Sequence, residues 1–172
     1  MLIKHSALVS LCTNLVRRAG SHKTEAEAVA GNLARSNLLG CDSHGVGYLP
    51  LYLRAALKGT LPVNLDGPDI VHDGGAMLTL DGRGGFGQIM GARAMELGID
   101  RAQTHGVAVI ALKDSHHLAR IGAWAEQCVD AGMASLHFVN VAAHPPLVAP
   151  HGGADARLGT NPMAIGFPSD PP

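Results

Sequence analysis

The sequence has no excess of basic charge, no paired cysteines, no long hydrophobic run and no low-complexity tract. Thirteen Lys and Arg stand against 14 Asp and Glu, for a formal net charge of -1. Nothing here draws a nucleic-acid backbone or an anionic membrane surface, and neither partner is expected. Cys12, Cys41 and Cys128 are odd in number, far apart and lack CxxC spacing. That pattern argues against a disulfide framework and a cysteine-based zinc site, and a cytoplasmic location is expected. Near the N-terminus, Lys4 and His5 precede an apolar stretch that Thr13, Asn14, Arg17 and Arg18 soon interrupt. It is too short for a signal core or a membrane span. What the chain does have is 47% hydrophobic against 16% charged residues over 172 positions, enough for one ordinary globular domain or two small ones.

Apolar residues at helical spacing from Leu8 to Val16 predict a first helix after Ser6, stopped at Gly20. Ser21 is placed to cap a second helix, whose buried stripe is Ala26, Val29, Ala30, Leu33 and Leu38. A third helix is expected over 49–58, with Pro50 in its first turn and Leu49, Tyr52, Leu53, Ala56 and Leu57 on one face. After Pro62 and Pro68 the texture changes, so a boundary near residue 65 is expected, dividing a helical part, 1–65, from an α/β part, 66–172. Asp73-Gly74-Gly75 joins two short apolar runs into a hairpin. A helix over 87–105, a strand over 107–112, a helix over 120–131 and strands over 134–141 and 163–167 follow, with a Pro-, Gly- and His-rich loop at 144–159. The chain stops at Pro168-Ser-Asp-Pro-Pro, just past a predicted strand, and a fragment is expected.

Gly82-Arg83-Gly84-Gly85-Phe86-Gly87 satisfies GxGxxG between a predicted strand and helix. In a Rossmann unit Gly82, Gly84 and Gly87 would bring N–H groups to a pyrophosphate, and Asp114 would hold a ribose hydroxyl. The interval to Asp114 exceeds the usual ~20 residues, and the preceding strand reads as a hairpin arm rather than a buried parallel strand. A glycine-rich turn is the simpler reading. In Asp42-Ser43-His44-Gly45, Asp42 or Ser43 could cap the next helix. Alternatively, the His44 imidazole, held by its Asp and Ser neighbours, could donate a proton to a carbonyl. Ser115-His116-His117-Leu118-Ala119-Arg120 opens a helix after a strand, where α/β folds commonly bind ligands. Two adjacent histidines on a strand would face opposite ways, so no metal site is expected. His137 reads as a core histidine, and His144 and His151 as loop residues. Gly159-Thr160-Asn161-Pro162 reads as a turn that also offers hydroxyl and amide groups to a cofactor.

Taken in order, Asp42-Ser-His-Gly-Val, Leu49-Pro-Leu-Tyr, Gly84-Gly-Phe-Gly-Gln, Ser115-His-His and Leu158-Gly-Thr-Asn-Pro resemble the malate/L-lactate dehydrogenase family of NAD(P)-dependent oxidoreductases. Within it, Ser115-His-His-Leu-Ala-Arg-Ile-Gly-Ala-Trp looks most like the hydroxycarboxylate dehydrogenase branch, which acts on 2-hydroxy and 2-oxo acids. The resemblance implies a non-Rossmann α/β fold, a largely antiparallel mixed sheet flanked by helices, of which this chain is the N-terminal part. It also implies a homodimer when full length.

By the same resemblance, His44 is the proton donor with Ser43 beside it, and His117 rather than His116 takes the family's histidine place. NAD or NADP is expected around His44, Ala119, Arg120, Ile121, Thr160 and Asn161, and the small-molecule 2-oxo or 2-hydroxy acid at Tyr48, His117 and Arg120. Two replacements depart from the pattern. Tyr48 stands where many members carry an arginine that binds the substrate carboxylate, and Leu118-Ala119 replaces the usual Phe-Gly. The alternatives are a non-catalytic remnant of the family, a Rossmann protein using the glycine run and, less favoured, a metal-dependent hydrolase.

Overall fold

Residues three and four apart on α1 (His5–Arg18) and α2 (Lys23–Leu38) are apolar, and the two helices pair through them. Cys12 and Val16 of α1 join Ala26, Val29, Ala30 and Leu33 of α2 in one buried cluster, which Leu49 and Tyr52 of α3 (Leu49–Leu57), Leu61 and Phe86 complete. Each of its larger apolar side chains contributes about 1.5–3 kcal/mol by leaving water. The computed structural model describes residues 2–141 and 145–169. The chain forms two compact units, Met1–Arg120 and Ile121–Pro172, and the division expected near residue 65 falls inside the first.

Ser21 does not cap α2. His22 holds that place without a side-chain bond, and the Ser21 hydroxyl is buried with no hydrogen-bond partner. The helix start is instead tied by Asn64, a left-handed residue with φ of 64°, a conformation in which asparagine is enriched. Its Oδ1 accepts the His22 N–H at 2.6 Å, its Nδ2 donates to the Gly20 carbonyl at 2.9 Å, and its own N–H donates to Glu25 Oε1 at 2.8 Å. The docking of a loop 42 residues downstream replaces the local cap.

The rest of the first unit is a three-stranded sheet in the order β1 (Asp69–Asp73), β2 (Met77–Asp81), β3 (Val109–Lys113). β1 and β2 form the expected antiparallel hairpin, with an irregularity between Ile70 and His72. β2 is also the parallel neighbour of β3, in register from Met77↔Val109 to Asp81↔Lys113. The strand before the glycines is therefore hairpin arm and parallel strand at once, where the sequence suggested the first alone. Between them runs the crossover helix α4 (Gly87–His105), ended by Gly106 in the left-handed region. Leu78 and Leu80 alternate onto the face that Ala94 of α4 covers, with Ile110 and Leu112 beside them.

In the second unit, α5 (Gly122–Asp130) buries Trp124, Ala125 and Cys128. β4 (Ser135–Phe138) pairs antiparallel with β5 (Met163–Gly166). α5 begins two residues later than expected, and β4 is shorter than the expected 134–141, although Val139 still donates to the Pro162 carbonyl at 3.1 Å. His137 is half-buried with Nε2 at 2.9 Å from Ser135 Oγ, as a satisfied core histidine should be. His144 lies outside the described residues. Antiparallel and parallel pairings with flanking helices make this a mixed α/β fold. Among the described residues no helix is long and apolar enough to cross a membrane.

Candidate functional site

The loop after α2 folds around one side chain. Asn37, in the last turn of α2, accepts the Val46 N–H on Oδ1 at 2.8 Å and donates from Nδ2 to Asp42 Oδ1 at 2.5 Å. Gly45 passes so close to this carboxamide that a Cβ there would stand 2.5 Å from Asn37 Cγ. Residues 42–44 and 46–48 form two tight 3-10 turns on either side. His44 is thereby held half-buried, with its Nδ1 at 2.9 Å from Ser43 Oγ. Of the two neighbours expected to hold the imidazole, Ser43 does so. The Asp42 carboxylate is engaged by Asn37 instead.

The second part of the site hangs on the glycine run. The N–H groups of Gly82, Gly84 and Gly85 donate to the carbonyls of Lys113, Asp114 and Gly82 at 2.8, 2.6 and 2.8 Å. The Gly85 carbonyl in turn accepts the His116 N–H at 3.0 Å. At Gly87, the first residue of α4, a Cβ would meet the His117 carbonyl carbon at 2.5 Å and Leu118 Cα at 2.7 Å. The backbone of 117–118 thus lies where a Rossmann pyrophosphate would need to sit, and the N–H groups of residues 82–85 are already satisfied. The Rossmann reading of Gly82, Gly84 and Gly87 fails on both counts: these glycines serve a turn and a close backbone crossing. The crossing segment is bracketed by two left-handed non-glycine residues, Asp114 with φ of 51° and Ala119 with φ of 56°.

The two parts meet ring to ring. Tyr48 and Tyr52 are four residues apart, and both turn toward His117. The Tyr48 and His117 rings stack with centroids 4.4 Å apart and planes 13° apart, and His44 lies 5.5 Å from His117 and 6.1 Å from Tyr48. Tyr52, 1% exposed, places its hydroxyl 2.7 Å from His117 Nδ1. Gln88, 3% exposed in the first turn of α4, donates from Nε2 to that hydroxyl at 3.3 Å. Burial pushes the Tyr52 phenol up to about 12, against which the Gln88 hydrogen bond works, so it remains a neutral O–H. His116 sets its ring edge-on to Tyr52 at 5.3 Å. Burial lowers its pKa, and its Nδ1 is enclosed without a partner.

His116 and His117 therefore do not point to opposite faces of a strand. The segment is irregular, and both contact Tyr52. Of the expected site residues, Ser43, His44, Tyr48 and His117 come together, and half-buried Arg120 and buried Ala119 follow closely in the chain. Ile121, Thr160 and Asn161 belong to the second unit, where Thr160 and Asn161 are exposed on the approach to β5. Tyr52, Gln88, Asn37 and Gly45 were not singled out by chemistry. Tyr52 reads as a core residue of an amphipathic helix, and its place in Leu49-Pro-Leu-Tyr and its spacing from Tyr48 are the available signs. Among the described residues no group of three or more His, Cys, Asp or Glu could hold a metal ion.

What this arrangement can do is hold two imidazoles beside each other, each with a hydroxyl at its Nδ1, leaving Nε2 of His44 as the atom that gives or takes a proton. Known proteins share the framework. The chain is 48% identical over 161 residues to hydroxycarboxylate dehydrogenase B of Escherichia coli O157:H7, covering 94% of this chain and 44% of that protein. A putative malate/lactate dehydrogenase structure from E. coli superposes with a TM-score of 0.89 at 43% identity, covering 98% of this chain and 46% of that one. The sulfolactate dehydrogenase structure from Methanocaldococcus jannaschii gives 0.92 at 32% identity, over 99% and 48%. The chain spans less than half the length of these relatives. The malate/L-lactate dehydrogenase family model matches residues 3–172, and with the fold and the motif order in agreement, this chain belongs to the malate/L-lactate dehydrogenase family.

Proposed function

We propose that this chain carries the proton-transfer part of an NAD(P)-dependent oxidoreductase that interconverts 2-oxo and 2-hydroxy acids. The observation that supports it is the His44 imidazole, half-buried, clamped through Asn37 and Gly45, and bonded at Nδ1 to Ser43. Neutral His44 carries its proton on Nδ1, which donates to Ser43 Oγ and leaves Nε2 with a lone pair. Protonated His44 keeps that Nδ1 bond and gives up the Nε2 proton, returning to the same tautomer. In the reductive direction that proton goes to the carbonyl oxygen of the 2-oxo acid. In the oxidative direction Nε2 takes it back from the hydroxyl.

NADH or NADPH, when bound, supplies the hydride that reaches the carbonyl carbon. His44, Ala119, Arg120, Ile121, Thr160 and Asn161 are the residues proposed to hold it. Arg120 is suited to a phosphate or carboxylate by the planar fork of its guanidinium. Tyr48, His117 and Arg120 are proposed to face the acid. Tyr48 is packed on His117 rather than extended as a charged arm, so it offers the acid a ring face in place of a cation. A homodimer, a cytoplasmic setting and a division of roles between 1–65 and 66–172 complete the reading.

The test is turnover of 2-oxo acids followed by nicotinamide absorbance, with NADH and NADPH compared. His44→Asn should lower kcat by about 10² to 10⁴, the usual worth of positioned proton transfer, and change dinucleotide affinity much less. Turnover near the parent's would remove His44 from the mechanism.

A further inference from the structure

We infer that Gln88 and Tyr52 are positioning residues that fix the tautomer of His117, with its proton on Nε2. A phenol has one hydrogen to give. Gln88 donates to the Tyr52 oxygen at 3.3 Å, so the phenol's own hydrogen is left for its other partner, His117 Nδ1, at 2.7 Å. An Nδ1 that accepts is unprotonated, and the neutral ring then carries its hydrogen on Nε2. The direction of the chain is set at its buried end. In this orientation the Gln88 Oε1 is enclosed and unpaired. Turning the carboxamide over would let Oε1 accept from Tyr52, and would leave both buried N–H bonds unpaired, where the present orientation leaves one N–H and the carbonyl. Orphaned buried donors are the rarer and costlier of the two.

The elements around the chain leave little room for it to reverse. Tyr52 is 1% and Gln88 3% exposed. Phe86 and His116 close on the Tyr52 ring edge-on at 6.0 and 5.3 Å. Burial of the phenol raises its pKa and keeps it a donor through the range in which imidazoles titrate. Tyr48 holds the His117 plane from its face, so the ring is fixed in orientation by stacking and in tautomer by the hydroxyl. For the acid proposed to lie beside His117, this makes the Nε2 position a hydrogen-bond donor. The role of this donor rests on the function proposed above; the tautomer does not.

The experiment is NMR of the protein with isotope-labelled histidine nitrogens, the His117 signals being assigned by their loss in His117→Gln. At a pH where the ring is neutral, His117 should show an imine-type Nδ1 and a protonated Nε2. In Gln88→Met the phenol loses its donor and can accept, so His117 should become a mixture of the two tautomers. Tyr52→Phe should give a mixture as well, and 2-oxo acid reduction should slow by up to about 10²-fold. A parent His117 protonated on Nδ1 overturns the inference whether or not either variant folds, and so does an unchanged tautomer in a folded Gln88→Met. If the tautomer is as stated while His44→Asn leaves turnover intact, the functional proposal fails and this one stands.

Discussion

The backbone of His117 crosses Gly87 with no room for a side chain between them: a Cβ on Gly87 would stand 2.5 Å from the His117 carbonyl carbon. Gly87→Ala must therefore push the 117–118 segment aside or tilt the start of α4. We expect a loss of about 1–3 kcal/mol in denaturant unfolding, the range for overpacking a tight site, together with a fall in kcat as His117 leaves Tyr48 and Tyr52. Gly84→Ala is the control. Its φ is 73° and its nearest neighbour Pro62 is 3.5 Å away, so it should cost about 1–2 kcal/mol through the left-handed backbone alone. Dinucleotide Kd should not change. A raised Kd with unaltered melting in Gly84→Ala would restore a phosphate-binding role to the glycine run.

Asn37 should behave as a site residue although it lies in a helix. Asn37→Ala removes the acceptor for Val46 and the donor to Asp42, and we expect about 1–2 kcal/mol of destabilisation with a larger proportional loss of kcat. Asn37→Asp is more telling. It keeps an acceptor for Val46 but sets a carboxylate against Asp42, where the present contact is 2.5 Å. Its deficit should shrink as pH falls and one of the two carboxyls takes a proton. Equal deficits across the acid range would refute the clamp.

Tyr48→Phe preserves the stack on His117 and should be close to the parent in stability, whereas Tyr48→Ala should lose about 0.5–1.5 kcal/mol beyond its lost area. Tyr48→Arg puts a guanidinium where the ring stands. If this position faces the acid, kcat/KM for a dicarboxylic 2-oxo acid should rise about 10-fold relative to a monocarboxylic one, the worth of roughly 1.4 kcal/mol. An unchanged ratio would take Tyr48 out of substrate recognition.

Burial lowers the pKa of both His116 and His137 from the ordinary 6.5. Folding therefore favours their neutral forms. Their contribution to stability is present above about pH 6.5 and is lost as pH falls from there toward the folded-state values. His116→Gln should flatten the part of the stability curve belonging to His116 in urea titrations taken at stepped pH. A second loss should follow below 3.8. Asp73, held chiefly by the Gly75 N–H, and Asp81, held chiefly by Lys113, have pKa values lowered from that figure and must be protonated on unfolding.

The helix Gly87–His105 was legible from its period, because that signal is local. The pair Ser43 and His44 was legible because the residues touch and are adjacent in sequence. Tyr52 was read as core, which it is, but the use of its hydroxyl depends on a partner 65 positions away. Gln88 closes the motif Gly84-Gly-Phe-Gly-Gln but gives no sign of its chemistry: a polar residue in the first turn of a helix is ordinary until the fold brings Tyr52 over it. Ser21 misled because it satisfies the local capping rule while Asn64, far along the chain, does the work. The glycine run misled for a related reason, since its pattern fixes a turn and the strand order decides what crosses that turn.

The separations that hid the site from the sequence also govern when it forms. Gln88 and His117 reach Tyr52 across 36 and 65 positions, so the entropy of closing those loops must be met before either bond can contribute. Contacts of that kind tend to assemble after the folding barrier has been crossed, and their substitutions then register in the unfolding rate while refolding stays near the parent's. Stopped-flow chevrons of Tyr52→Phe and Gln88→Met should show this, with the α1–α2 core already formed in the transition state and the imidazole pair among the last groups to lock.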